Sequence, residues 1–175
     1  MQIPISKNPI YNTQINPVYN TQINPRHNTK LNPIYNAQIN PAFNASLNPL
    51  LNSSINPKLN SFINPLFNSQ INPLLNYAIN PVANSSINPK VNPNANVTFF
   101  FNQQNLCWGF GVWTSNGGFA IFNPDSAYIA FGTPSPENSL SLYDTNNNWV
   151  GYLIRNNQGG FLHFDQNSNW IGFTS

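Results

Sequence analysis

From Asn8 onward a proline returns every eighth residue, at 9, 17, 25, 33, 41, 49, 57, 65, 73, 81 and 89, and an asparagine precedes each one. A second asparagine follows three residues after each proline, and Ile or Leu closes the octad at Ile15, Ile23, Leu31, Ile39, Leu47, Ile55, Ile63, Ile71, Ile79 and Ile87. This spacing excludes α-helix, because proline would interrupt it after about two turns. Asn-Pro opens a turn: the asparagine side chain bonds its own backbone two residues on, and proline presets the backbone angle of the next position. The remainder of the phrase, as in Tyr11-Asn12-Thr13-Gln14-Ile15, has the length of a short strand. Each octad therefore reads as a corner plus a strand.

One octad cannot bury its own apolar position, so the octads are expected to stack as a tandem-repeat β-solenoid. The residue after proline is bulky and apolar in every even octad (Val18, Ile34, Leu50, Leu66, Val82) but includes Arg26, Ala42, Lys58 and Lys90 in odd ones. That alternation implies two environments and a coil of about 16 residues, with the Ile/Leu column as its core and self-assembly seam. A disordered linker would not hold an apolar residue in register ten times. An ice-binding hydroxyl array fails because the column begun by Thr13, Thr21 and Thr29 decays to Ala, Ser and Tyr.

A different period starts after residue 95. The pairs Phe101-Asn102, Phe122-Asn123, Tyr143-Asp144 and Phe164-Asp165 stand 21 residues apart, each followed by a second aromatic run beginning at Cys107, Tyr128, Trp149 or Trp170. Aromatic run, Asn/Asp-rich turn and aromatic run is a hairpin signal. The fold class is thus read as all-β: a lead-in (1–7), an octapeptide-repeat rod (8–95), and an antiparallel β domain of four 21-residue hairpin repeats (96–175), closed as a barrel or packed as a sandwich. In the second strand of each hairpin, Trp108, Phe110 and Val112, or Val150, Tyr152 and Ile154, alternate as a core face. The other face carries Tyr128, Trp149 and Trp170, each two residues before a Gly or Ala. These rings, with Asn148 and Asn169 of the turns, are candidate stacking platforms for a glycan. The competing reading has the rings covering the small residues or packing against the rod.

Composition narrows the function. Only 6% of residues are charged, while asparagine alone fills 36 positions. Five cations (Lys7, Arg26, Lys30, Lys58, Lys90) spread over the first ninety residues make too thin a footprint for nucleic acid. Cys107 is the single cysteine and His27 and His163 lie far apart, so neither a disulfide framework nor a zinc site is expected. The turns Asp144-x-Asn146-x-Asn148 and Asp165-x-Asn167-x-Asn169 have one carboxylate each, which suits turn capping better than calcium. No catalytic set, metal or cofactor is expected, and no stretch has membrane-spanning length. The expected object is a self-assembling subunit of an extracellular fibre, appendage or coat, a homopolymer on a cell, spore or virion surface. Its export route is not visible in MQIPISK. The alternative is an adhesin or lectin-like module whose hairpins bind glycans at the end of a stalk.

Overall fold

The computed structural model describes residues 1–175 as an all-β protein. Eight strands, β1 (Thr98–Asn102), β2 (Cys107–Trp113), β3 (Phe119–Phe122), β4 (Tyr128–Ser135), β5 (Ser139–Asp144), β6 (Trp149–Arg155), β7 (Phe161–Phe164) and β8 (Trp170–Thr174), pair antiparallel in chain order. β1 also pairs with β8, through Phe101 and Phe173 among others, so the sheet closes into a barrel without edges. Each 21-residue repeat supplies one hairpin. Its turn is built by one side chain: Asn102, Asn123, Asp144 or Asp165 accepts the N–H groups two and four residues on, at 2.8–3.0 Å. The third residue after it, Asn105, Ser126, Asn147 or Ser168, turns back with φ between 63° and 69°.

Both faces of the barrel wall are apolar, for a reason the alternation alone could not give. Phe100, Phe119, Ile121, Leu140, Leu142, Leu153 and Phe161 fill the inside. Phe99, Phe101, Phe110, Val112, Phe122, Tyr152, Ile154, Leu162, Phe164 and Phe173 point outward, where they pack with Ile23, Leu31, Ile39 and Ile79 of the octads. The octad region therefore lies against the barrel as its outer layer. Trp108 leaves the face of Phe110 and Val112: the register slips between Phe100↔Gly109 and Phe101↔Cys107, and the Trp108 ring sits 5.1 Å from Phe100. A β-bulge re-aims the residue beside it.

The tandem-repeat β-solenoid and its sixteen-residue coil are not what forms. Residues 8–95 contain no strand; they are a succession of four-residue turns, and the half read as a strand is in most octads a short 3₁₀ turn such as Ala37–Ile39 or Ser53–Ile55. Asparagine is the cause. In the first turn of an octad Asn16 Oδ1 accepts the Val18 N–H at 2.9 Å, and in the second Asn20 Oδ1 accepts the Gln22 N–H at 3.1 Å. Each asparagine is extended, as the residue before proline must be (Asn40, φ −103°, ψ 114°), and proline takes the first turn position, where no N–H is needed. The amide's other end ties consecutive octads together: Asn16 Nδ2 donates to Pro9 O at 2.9 Å and Asn20 Nδ2 to Gln14 O at 2.7 Å. The odd–even distinction also disappears, since the residue after proline is exposed in all eleven octads.

This string of turns forms a belt around the barrel. Arg26 reaches Gln103 in the β1–β2 loop at 2.9 Å, Ser168 of the β7–β8 loop reaches Asn40 at 3.2 Å, the Tyr143 hydroxyl donates to Ile55 O, Lys58 reaches Asn148 of the β5–β6 loop at 2.8 Å, and Lys90 pairs with Asp125 of the β3–β4 loop at 3.1 Å. The belt thus travels the circumference against the order of the hairpins. Between the contacts Ser168–Asn40 and Ser126–Asn88, six octads span two hairpins, or three octads per hairpin. The Gln2 N–H donates to Pro89 O at 2.9 Å and closes the circuit. The Ile/Leu column faces the barrel: Ile23, Leu31, Ile39, Leu47, Ile55, Ile71 and Ile79 are buried, while Ile15, Ile63 and Ile87 are half-buried. In place of a rod followed by a separate hairpin-repeat domain, the chain is one closed barrel inside one closed belt.

Candidate functional site

The four Asn/Asp loops emerge at one end of the barrel, and neighbouring hairpins meet there in four junctions. At two of them a glutamine makes a latch. Gln103 Nε2 donates to the main-chain carbonyl of Trp170, and Gln166 Nε2 to that of Trp149, so each glutamine crosses to the aromatic residue of the preceding hairpin. In the 21-residue register the corresponding positions are Pro124 and Thr145. Threonine is too short to make the crossing, and beside Thr145 the junction opens.

The resulting cavity, of about 340 Å³, is lined by Tyr128, Phe131, Thr145 and Asn147 of the barrel and by Pro65, Leu66, Asn72 and Leu74 of the belt. Two polar atoms at this site are buried and unpaired, the Tyr128 hydroxyl oxygen and Asn147 Oδ1. Burial pushes the Tyr128 phenol well above its ordinary range, so it stays a neutral hydroxyl able to donate and accept. Asn147 occupies the left-handed turn position (φ 63°), where Ser168 in the β7–β8 loop instead donates to belt Asn40. Asn72 is already committed, its Oδ1 to the Leu74 N–H and its Nδ2 to Pro65 O, both at 2.9 Å. The cavity therefore has apolar and aromatic walls and no charged side chain among its lining, and two of its lining residues, Tyr128 and Asn147, each carry a buried polar atom without a partner.

The other candidate residues lie apart from this cavity. Trp149 and Trp170 pack against the outer-face cluster, and their indole N–H groups donate to Gly151 O at 2.7 Å and Gly172 O at 2.6 Å. One face of Trp170 is occupied by the Arg26 guanidinium, 5.5 Å from the ring centroid. Trp170 and Asn169 do share a second, smaller cavity of about 230 Å³ with Arg26, Ile34 and Gln103. Asn148 and Asn169 each spend Nδ2 on the carboxylate of their own turn, Asp144 or Asp165, at 2.9 Å. These carboxylates each hold two backbone N–H groups as well, which commits them to the loop. For Asp144 slight burial works against ionisation, but the hydrogen bonds from Asn148 and Asn146 outweigh it and hold the carboxyl below its usual range.

Cys107 fills the aromatic position at the fourth junction. Its thiol donates to Gly109 O at 3.3 Å, and burial pushes it up to about 11. His163 points into the barrel beside Trp108, ring centroids 6.0 Å apart, where burial lowers its pKa to about 4. Thr145, Asn147, Leu66 and Leu74 were not singled out from sequence. The signal was present in the 21-residue alignment, as the break from glutamine to threonine at 145.

Neither a protein-family model nor a curated protein matches the chain. Among solved structures, one described as a Japanese Marasmius oreades lectin is similar at 14% identity over 46% of this chain and 91% of its own, with a TM-score of 0.17. A superposition at that score carries no argument about fold or function. No helix is long and apolar enough to cross a membrane.

Proposed function

We propose that the protein is a lectin-like binding module that takes a neutral, hydroxyl-bearing ligand, one sugar ring of a glycan, in the cavity beside Tyr128. The observation that carries this reading is the pair of buried, unpaired polar atoms, Tyr128 Oη and Asn147 Oδ1, on an otherwise apolar and aromatic cavity. A buried polar atom without a partner costs roughly 1–3 kcal/mol, and a hydroxyl-bearing ligand recovers it. Sugars present such hydroxyls at their edge and C–H groups on their face, which suits the Tyr128 and Phe131 rings. About 340 Å³ lies at the small end of ligand pockets and fits a single ring. The uncharged lining favours a neutral sugar over a sialylated or sulfated one. An extracellular or surface location accords with such a ligand.

The test uses the fold's own latch. Thr145→Gln restores at this junction the residue found at 103 and 166, and its amide is expected to reach the Tyr128 carbonyl and fill the cavity. On an array of neutral oligosaccharides the unmodified protein binds and T145Q loses at least tenfold in affinity, while its Tm stays the same or rises. Binding unchanged by T145Q, or no binding by the parent protein at high valency, rejects the reading.

A further inference from the structure

The octads present two edges. The corners after Asn-Pro lie beside the four Asn/Asp loops: Arg26, Lys58 and Lys90 reach into those loops from there, and Ile34, Leu66 and Leu74 line the two junction cavities. The other corners lie towards the opposite end, where Ser6, Lys7 and Ile15 meet the 156–160 turn. The two edges differ in chemistry. At the two positions after each octad proline, 16 of 22 residues are large and apolar, with exposures from 43% at Val18 to 77% at Leu50. The opposite corners are mostly Thr, Ser, Gln and Ala, with Phe62 and Tyr77 the large exceptions.

Nothing in the barrel or the belt covers this apolar band. At about 100 Å² per side chain it amounts to roughly 1,600 Å², several times the largest apolar patch of an ordinary monomer. A stable protein–protein contact needs about 800 Å² per partner, so half of the band suffices.

We infer that the Asn-Pro edge of the belt is the docking surface for the same edge of a second copy, in a closed face-to-face pair. Spacing argues for this occupant. The band repeats once per octad along a belt whose ends meet at Gln2 and Pro89. A second copy carries the same eight-residue period along its own belt, so the two apolar rows match in spacing along the contact. Charge supports the same occupant over an anionic lipid surface. The three cations on the edge are turned to Gln103, Asn148 and Asp125 of their own barrel, and Asp144 and Asp165 lie in loops at the same end. The edge thus presents little net charge, and a chain with 6% charged residues resists self-contact weakly. An isologous contact of one edge with itself closes at two copies. This inference does not depend on the ligand cavity.

The experiment is sedimentation of the full chain from about 100 µM downward, a range that brackets ordinary dimer affinities. It compares the protein with a variant carrying Phe43→Ser, Leu51→Ser, Phe67→Ser and Leu75→Ser, all at least 70% exposed and outside the cavities. The parent sediments as a dimer, the variant dissociates at least a hundredfold more readily, and both melt at the same temperature when dilute. Phe62→Ser on the opposite edge leaves the dimer intact. A parent that stays monomeric throughout, dimers unaffected by the four serines, a dimer lost in Phe62→Ser, open-ended polymers, or monomers that instead float with neutral or anionic vesicles would each overturn the pairing.

Discussion

Asparagine dominates the octads because all but Asn8, Asn24 and Asn80 use both ends of the amide. Asn64 is 2% exposed; its Oδ1 accepts the Leu66 N–H at 2.9 Å and its Nδ2 donates to Pro57 O at 2.8 Å. Aspartate caps a turn equally well but has no donor for the preceding octad, and serine's single short hydroxyl cannot span both groups. Asn64→Asp is therefore expected to destabilise more than Asn64→Ala: the alanine loses two hydrogen bonds at about 1–3 kcal/mol in total, and the aspartate also sets a buried charge against a carbonyl. Urea melts of the two variants check the order. His163 makes a second prediction. An unfolded histidine takes up a proton near 6.5 and the folded one only near 4, where burial dominates and nearby Asp165 partly opposes it. Between those values the unfolded chain binds more protons. The contribution to stability is complete above pH 6.5 or so, and about 3 kcal/mol is lost as pH falls to 4. His163→Leu, the residue at the corresponding position 142, is expected to flatten the Tm against pH profile over that window.

At the scale of elements, the hairpins were legible and the belt was not. An aromatic run, an Asn or Asp that accepts two N–H groups of its own turn, and a second aromatic run are local chemistry, so the 21-residue period placed all four hairpins. The octad misled because Asn-x-x-Ile has the length of a strand, while its asparagine closes a turn of its own. The latch was illegible for another reason: Gln103 and Trp170 are 67 residues apart, and only closure of the barrel brings them together. That closure depends on close backbone approach at the β1–β8 seam. A Cβ on Gly172 would collide with the Phe101 carbonyl across it. Gly172→Ala is expected to cost about 2–4 kcal/mol, as a clash with backbone cannot be relieved by a rotamer change. A fall in the urea midpoint with an unchanged m-value would confirm that the native state alone is affected.

At the scale of the molecule, the two repeats complete one another. The outward row from Phe99 to Phe173 is buried only because the belt covers it, and the buried belt residues have only the barrel to pack on. We expect residues 96–175 expressed alone to aggregate, and the full chain to unfold in a single calorimetric transition with equal calorimetric and van't Hoff enthalpies. Two separated transitions would show halves that stand independently. The lengths of the ties between belt and barrel also set an order of events during synthesis. Arg26 waits for a residue 77 positions later, Asn40 for one 128 later, and Lys7 O for Ser175, 168 later. A ribosome delivers the octads first, when their only available bonds are those within and between adjacent turns. The belt is then tied down in steps, to the β1–β2 loop through Arg26, the β3–β4 loop through Lys90 and the β5–β6 loop through Lys58, and the tie from Asn40 to Ser168 and the β1–β8 seam are made last.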